Sequence, residues 1–216
     1  GAQIVPVPCS GKKPVVKGWN KLTVAEAAEQ SHMDKFSPPT VTGLGIALGE
    51  QSAGLCTIDL DSDDVVHPFL ALNPKLKASL RTVGKRGCNI WVRIQGEYPA
   101  SAKLPDIGEW RSTGNQTVIA GQHPDGRHYS AAVKQPAVEL TFDEIVWPPE
   151  WSLPWKVEID AFEAQHGPIL LPGTSPVLNQ QNFVARFAGE NDVLFEPSLG
   201  WFAYEVQTGL WKSQSA

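Results

Sequence analysis

Residues Leu55-Cys56-Thr57-Ile58-Asp59-Leu60-Asp61 run an apolar stretch into two carboxylates separated by one residue. Side chains of a strand alternate between its faces, so an Asp-x-Asp at the strand's end presents both acids on one side. Carboxylates that close repel each other unless a cation lies between them. Ligation by oxygen alone suits a hard divalent ion, Mg²⁺ or Mn²⁺. A calcium loop starting at Asp59 is excluded: its sixth position would be Asp64 where the loop needs Gly, and its twelfth Leu70 where it needs Glu. The structural alternative is that Asp61 or Asp63 caps a following helix.

Two further segments bear on the same chemistry. Gly84-Lys85-Arg86-Gly87-Cys88-Asn89-Ile90-Trp91-Val92 joins a basic, glycine-flanked turn to a strand. Such a turn brings backbone N–H groups and cationic side chains to phosphate oxygens; the alternative is a hairpin turn that happens to be basic. In Ile107-Gly108-Glu109-Trp110-Arg111, Glu109 and Arg111 are two apart and share a face. They read as a metal ligand beside a phosphate contact, or as a surface ion pair worth ~0–1 kcal/mol. Charge is unevenly spread. The chain carries −5 overall, yet 65–96 holds no Asp or Glu and six cations: Lys75, Lys77, Arg81, Lys85, Arg86 and Arg93. That stretch is either a solvated basic surface or one side of a polyanion-binding cleft.

The elements that must position these residues are mostly short strands. Gly45 to Leu48 and Leu55 to Ile58 read as paired strands, Asn89 to Ile94 and Gln116 to Ala120 as two more. Thr23 opens a helix over 24–30, with Glu26 placed to complete a capping box. His123-Pro124-Asp125-Gly126 is a turn leading to Tyr129. Trp147-Pro148-Pro149, Trp151 and Pro154-Trp155 begin a Pro- and Trp-rich connector, and a new pattern starts near Gln180, with Phe183, Ala185, Phe187 and Ala188. The expected organisation is an α+β domain over 1–146, a connector over 147–178, and a tail over 179–216. Cys9, Cys56 and Cys88 fit neither a zinc spacing nor a disulfide framework, which points to a reducing cytoplasm. No apolar run is long enough for a membrane span, and no Gly-Lys-Ser/Thr phosphate loop is present. A zinc pair at His123 and His128 lacks the remaining ligands. His32, His67 and His166 read as surface or packing residues.

Taken in order, the three segments resemble the archaeo-eukaryotic primase superfamily, and within it the bifunctional primase-polymerase domains of plasmids, phages and integrated elements. Gly43-Leu44-Gly45-Ile46-Ala47-Leu48-Gly49 running into Leu55 to Asp61 is similar to the family's first block. Glu109-Trp110-Arg111, followed by Ala120-Gly121-Gln122-His123-Pro124-Asp125-Gly126 and Tyr129, is similar to its third. Gly11-Lys12-Lys13-Pro14 with Trp19 resembles its usual opening, and the likeness covers residues 4 to 146. It implies a primase-polymerase fold: an RRM-like antiparallel or mixed sheet as catalytic core, with an N-terminal α/β unit. It also implies two-metal nucleotidyl transfer from (deoxy)nucleoside triphosphates on a single-stranded DNA template, Asp59, Asp61 and Glu109 holding the Mg²⁺ or Mn²⁺ ions.

Lys85, Arg86, Arg111 and His123 become the nucleotide's phosphate contacts, and Lys12, Lys13, Lys75, Lys77 and Arg81 those of the DNA. At the family's second motif Asn89 stands where a His is usual; Asn can donate a hydrogen bond but carries no charge. That departure leaves open a catalytically impaired module that binds single-stranded DNA for a helicase. A metal-dependent nuclease using the same acids is a third reading. Phe187 to Asp192, Trp201-Phe202 and Gly209-Leu210-Trp211 resemble the region that precedes phage- and plasmid-type replicative helicases. A C-terminal hairpin is the alternative there.

Overall fold

The apolar runs of the first 150 residues become strands because each buries alternate or all side chains between layers. β1 (Val5–Ser10) turns into β2 (Lys13–Pro14), and two short helices, α1 (Val24–Ala27) and α2 (Gln30–Met33), lead to β3 (Gly43–Ala47) and β4 (Leu55–Leu60). Helix α3 (Asp63–Leu72) follows, then β5 (Arg81–Val83), β6 (Cys88–Ile94), β7 (Ala102–Leu104), β8 (Gly108–Arg111), β9 (Gln116–Gly121), β10 (Ser130–Val133) and β11 (Val138–Leu140). The computed structural model describes residues 3–171, 177–190, 193–196, 200–205 and 210–214. It divides into two compact units, Gly1–Pro154 and Trp155–Ala216.

Among the described residues the first unit carries two sheets. One has the order β2-β1-β3-β9; the other is seven-stranded, β10-β5-β6-β4-β8-β7, with β11 added beside β6. Every pairing is antiparallel except β11 on β6. The class is therefore α+β, as expected. Strand β4 lies at the centre of the larger sheet, and Leu55, Cys56, Ile58 and Leu60 are all buried, each worth about 1.5–3 kcal/mol for the larger aliphatics.

The structure departs from the sequence reading at this point. β3 and β4 are not partners: β3 pairs with β1 and β9, β4 with β6 and β8, and a single bridge, Gly49 to Leu55, joins the two runs. Both edges of each strand are already taken, so the intervening turn carries the chain from one sheet to the other. The chain crosses again between β8 and β9. The two crossings bind each other through Leu48 N–H to Asn115 O (2.9 Å) and Glu50 N–H to the Thr113 hydroxyl (3.2 Å). Beneath them the buried hydroxyls of Thr57 and Thr117 meet at 2.9 Å and tie the sheets together.

Three local corrections follow. The Thr23–Glu26 capping box is present, but the helix stops at Ala27 and a second starts at Gln30. Neither Asp61 nor Asp63 caps α3; Ser62 does, its hydroxyl accepting from Asp64 N–H, while Asp63 accepts from Gly87 N–H at 3.0 Å. Trp147 and Trp151 do more than wrap the domain. With Phe69, Trp110 and Phe142 they form a run of ring contacts with centroids 5.1–6.3 Å apart.

The second unit combines helices with short strands. Helix α4 (Pro154–His166), a hairpin of β12 (Leu170–Leu171) and β13 (Val177–Leu178), helix α5 (Gln180–Glu190) and a three-stranded sheet of β14 (Val193–Glu196), β15 (Gly200–Glu205) and β16 (Leu210–Gln214) follow in order. Buried Asn179 donates to the carbonyls of His166 and Pro168, and Arg186 lies 4.9 Å from the Phe162 ring centre. Of the tail motif, Asn191, Asp192 and Gly209 lie outside the described residues, as do the side chains of Phe187, Ala188, Trp201 and Trp211.

All three cysteines are free and buried. Burial pushes the Cys9 thiol up to about 11 and those of Cys56 and Cys88 up to about 12. Thiolate is the reactive form, so a disulfide reagent is expected to modify none of the three in the native protein and all three after denaturation.

Candidate active site

The site is built on one row of the larger sheet. Asp59 of β4 lies directly across from Asn89 of β6 and from Glu109 of β8. Residues opposed on neighbouring strands point to the same face, so the register alone brings the amide and the two carboxylates together. Arg111, two residues beyond Glu109, shares that face and reaches back over it. Its Nη2 donates to Asp59 Oδ2 at 2.6 Å and its Nε to Glu109 Oε2 at 2.8 Å. Both are charge-assisted contacts in the strong range. The Asp59 side chain is only 16% exposed, against 34% for Glu109. Burial raises the pKa of Asp59; Arg111 acts against this, Asp61 and Glu109 raise it further, and Lys12 lowers it. The row is an acid cluster held together by one guanidinium.

Glycines on both flanks allow β4 to end where it does. Gly108 (φ +150°) and Gly87 (φ +59°) pass so close that a Cβ on the first would meet the Asp59 carbonyl and on the second that of Leu60. Gly87→Ala must move the strand end carrying Asp59 and Asp61, and the left-handed φ adds strain of order 1–3 kcal/mol. The expected result is a melting temperature lower by several degrees, measured by thermal unfolding.

A cleft of about 390 Å³ opens over this row, between the two sheets. Asp59, Asp61, Asn89 and Arg111 line it from the larger sheet. Asp61 lies one residue past β4, its N–H bonded to Ile107 O at 2.8 Å. Gln116 and Thr117 of β9, with Lys12 from the β1–β2 turn, form the opposite wall. Lys85 and Arg86 stand at the rim on the β5–β6 turn, and the 121–129 loop closes the end with His123 and Tyr129. Arg127 Nη1 donates to Lys85 O at 3.3 Å, joining that loop to the turn. His123 Nδ1 lies 2.7 Å from Asp125 Oδ1 and its ring 5.5 Å from that of Tyr129. Burial and the Asp59 charge push the Tyr129 hydroxyl up to about 12, so it remains a proton donor at neutral pH.

The sequence-predicted residues divide between the cleft and its surroundings. Asp59, Asp61, Lys85, Arg86, Asn89, Arg111 and His123 all line the cleft, and Glu109 joins through its contacts with Arg111 and its place opposite Asp59. The residues expected at DNA scatter. Lys12 lines the cleft, while Lys13 sits on β2 and does not. Lys75 is bonded to Glu144 at 2.8 Å and borders a different hollow, and Lys77 is exposed. Arg81 is half-buried on β5, and Arg93 donates to the carbonyls of Ser52 and Ala53. The basic stretch over 65–96 is therefore not a single cationic face. Gln116, Thr117 and Tyr129 were not foreseen as site residues. The only signal for Gln116 was a polar side chain opening an apolar strand.

The donor set is oxygen-rich, as a hard divalent cation requires, and Asn89 Oδ1 is buried with no hydrogen-bond partner. Yet among the described residues no three His, Cys, Asp or Glu side chains converge closely enough to hold one ion. Arg111 supplies the positive charge between Asp59 and Glu109.

The fold is thus an α+β domain with a cleft between its two sheets, lined by carboxylates and by cationic side chains. The profile of the family described as bifunctional DNA primase/polymerase, N-terminal, matches residues 1–151. The chain belongs to that family. No curated protein matches it.

Proposed function

We propose that the chain performs template-directed nucleotidyl transfer, joining (deoxy)nucleoside triphosphates to a primer or an initiating nucleotide on single-stranded DNA. The observation that carries this reading is the Asn89–Asp59–Glu109 row, bridged by Arg111, beside a cleft that Lys12, Lys85 and Arg86 also line. In the transfer a hydroxyl oxygen attacks the α-phosphorus, an O–P bond forms, and the bond to the departing pyrophosphate breaks. No protein nucleophile is needed.

Asp59, Asp61 and Glu109 are the residues that would hold Mg²⁺ or Mn²⁺. When bound, such ions lower the pKa of the attacking hydroxyl and neutralise the triphosphate and pyrophosphate. Arg111 then exchanges its two carboxylates for phosphate oxygens, which its planar fork fits equally well. Lys85 and Arg86 reach the same polyanion from the rim, and His123 from the loop. The protonated Tyr129 hydroxyl donates a hydrogen bond to the substrate. Asn89 contributes an amide and no charge.

That neutral residue, with its unpartnered oxygen, favours one second reading: an impaired module that binds single-stranded DNA for a replicative helicase. Residues 179–216 would then lead into the helicase. No helix among the described residues is long and apolar enough to cross a membrane, and a cytoplasmic setting is part of the proposal. Primer extension in Mg²⁺ or Mn²⁺ separates the readings. Template-complementary products lost on replacing Asp59 and Asp61 by Ala support transfer. DNA binding without incorporation supports the module, and shortened strands would point to a nuclease.

A further inference from the structure

We propose that Lys12 binds the triphosphate of the incoming nucleotide, so that the smaller sheet supplies part of the phosphate site and the template is contacted elsewhere. The inference rests on the function proposed above.

Lys12 stands at the tip of the β1–β2 hairpin, where Ser10 pairs with Lys13 and Cys9 with Pro14. Gly11, with φ +57°, makes the reversal. The tip is pinned: Gly11 N–H donates to the Thr42 hydroxyl at 2.9 Å, and Gln116 Nε2 donates to Lys12 O at 2.8 Å. Gln116 itself lines the cleft. The backbone beneath the ammonium is thus fixed from two sides, and Lys12 lines the same cleft as Asp59, Asp61 and Asn89.

Two comparisons give this placement meaning. Lys13, the next residue, sits on β2 and does not line the cleft, so this is not a generic basic turn. Arg111 is engaged by two carboxylates at 2.6 and 2.8 Å, whereas Lys12 forms no ion pair among the described residues. Lys12, Lys85 and Arg86 therefore carry the uncommitted lysine and arginine charge of the cleft, and they do so from opposite walls. A compact polyanion held between the sheets would meet all three. The phosphate that comes closest to Asp59 is the one undergoing transfer, whereas template phosphates follow a strand that must run out of the cleft.

The test measures two affinities on the whole chain with Mg²⁺ present: a non-hydrolysable deoxynucleoside triphosphate analogue, and a single-stranded oligonucleotide without nucleotide. Lys12→Ala is expected to weaken the analogue about tenfold, as loss of a charge-assisted contact does, and to leave the oligonucleotide within about twofold. Lys12→Arg should retain most of the analogue affinity, and Lys13→Ala should leave it unchanged. Because Lys12 is exposed, the variants keep the fold, which circular dichroism verifies. Unchanged analogue binding in Lys12→Ala, or a loss confined to the oligonucleotide, overturns the assignment while leaving the transfer function standing. Failure of the unmodified chain to bind the analogue overturns both.

Discussion

Asp59→Asn is expected to lower primer extension by about three orders of magnitude, the loss of several kcal/mol of transition-state stabilisation, without lowering stability. Asp59 is the least exposed of the acid row, and burial raises its pKa. Above an ordinary carboxylate pKa of ~4, the unfolded chain ionises this residue more readily than the folded one. Between that value and the raised pKa the folded state binds more protons. Stability of the native protein therefore falls as pH increases through the window and stays reduced above it. Asparagine removes the titration. It can still accept from Arg111, which also keeps Glu109. The variant should thus melt no lower than the native chain at neutral pH, and its advantage should shrink on acidification. Thermal unfolding between pH 4 and 8, beside an extension assay, checks both halves. A variant that is inactive because it is unfolded would show a clear drop in melting temperature.

Arg111→Ala is expected to have the largest effect on stability. Among the described residues the guanidinium alone is bonded to both Asp59 and Glu109. Its removal leaves two opposed carboxylates, one of them largely buried, facing each other across β4 and β8. Breaking a buried pair by deleting one partner costs about 3–5 kcal/mol; partial exposure of all three groups reduces this to roughly 2–4 kcal/mol. For a unit of this size that is a fall of roughly 5–15 °C in melting temperature. Without Arg111 the Asp59 pKa rises further, so the deficit should be greatest at neutral pH and diminish as Asp59 takes up a proton. Millimolar Mg²⁺ should restore part of the loss, because a ligand that binds only the folded state stabilises it. Scanning calorimetry with Mg²⁺ and with chelator reads this directly. In the Asp59→Asn background, Arg111→Ala should be much milder, since residues in one network are not additive.

The acid row was legible because it depends on strand periodicity. An apolar run ending in Asp59-Leu60-Asp61, and Glu109 two residues from Arg111, required only that side chains alternate, and the 2.8 Å Glu109–Arg111 contact follows from it. The Thr23–Glu26 capping box was equally local. What the sequence hid was partnership. Nothing in Gly45 to Leu48 and Leu55 to Ile58 says that the two runs join different sheets, because hydrogen-bond partners of a strand are chosen by the rest of the chain. For the same reason Lys75 read as a DNA contact, with no sign of its 2.8 Å bond to Glu144 far along the chain. Lys12 read as a DNA contact, and nothing local showed that the β1–β2 turn brings it to the lining of the cleft. Gly87 read as part of a phosphate-binding turn, whereas its φ of +59° and its contact with the Leu60 carbonyl give it a structural task under β4.

Titration with Mn²⁺, followed by the loss of the free ion's paramagnetic resonance signal, addresses the metal-holding role of the acid row without relying on turnover. Saturable uptake by the unmodified chain, strongly reduced by Asp59→Asn in a folded protein, is the predicted result. Equal uptake by that variant, or none by the unmodified chain, would contradict it.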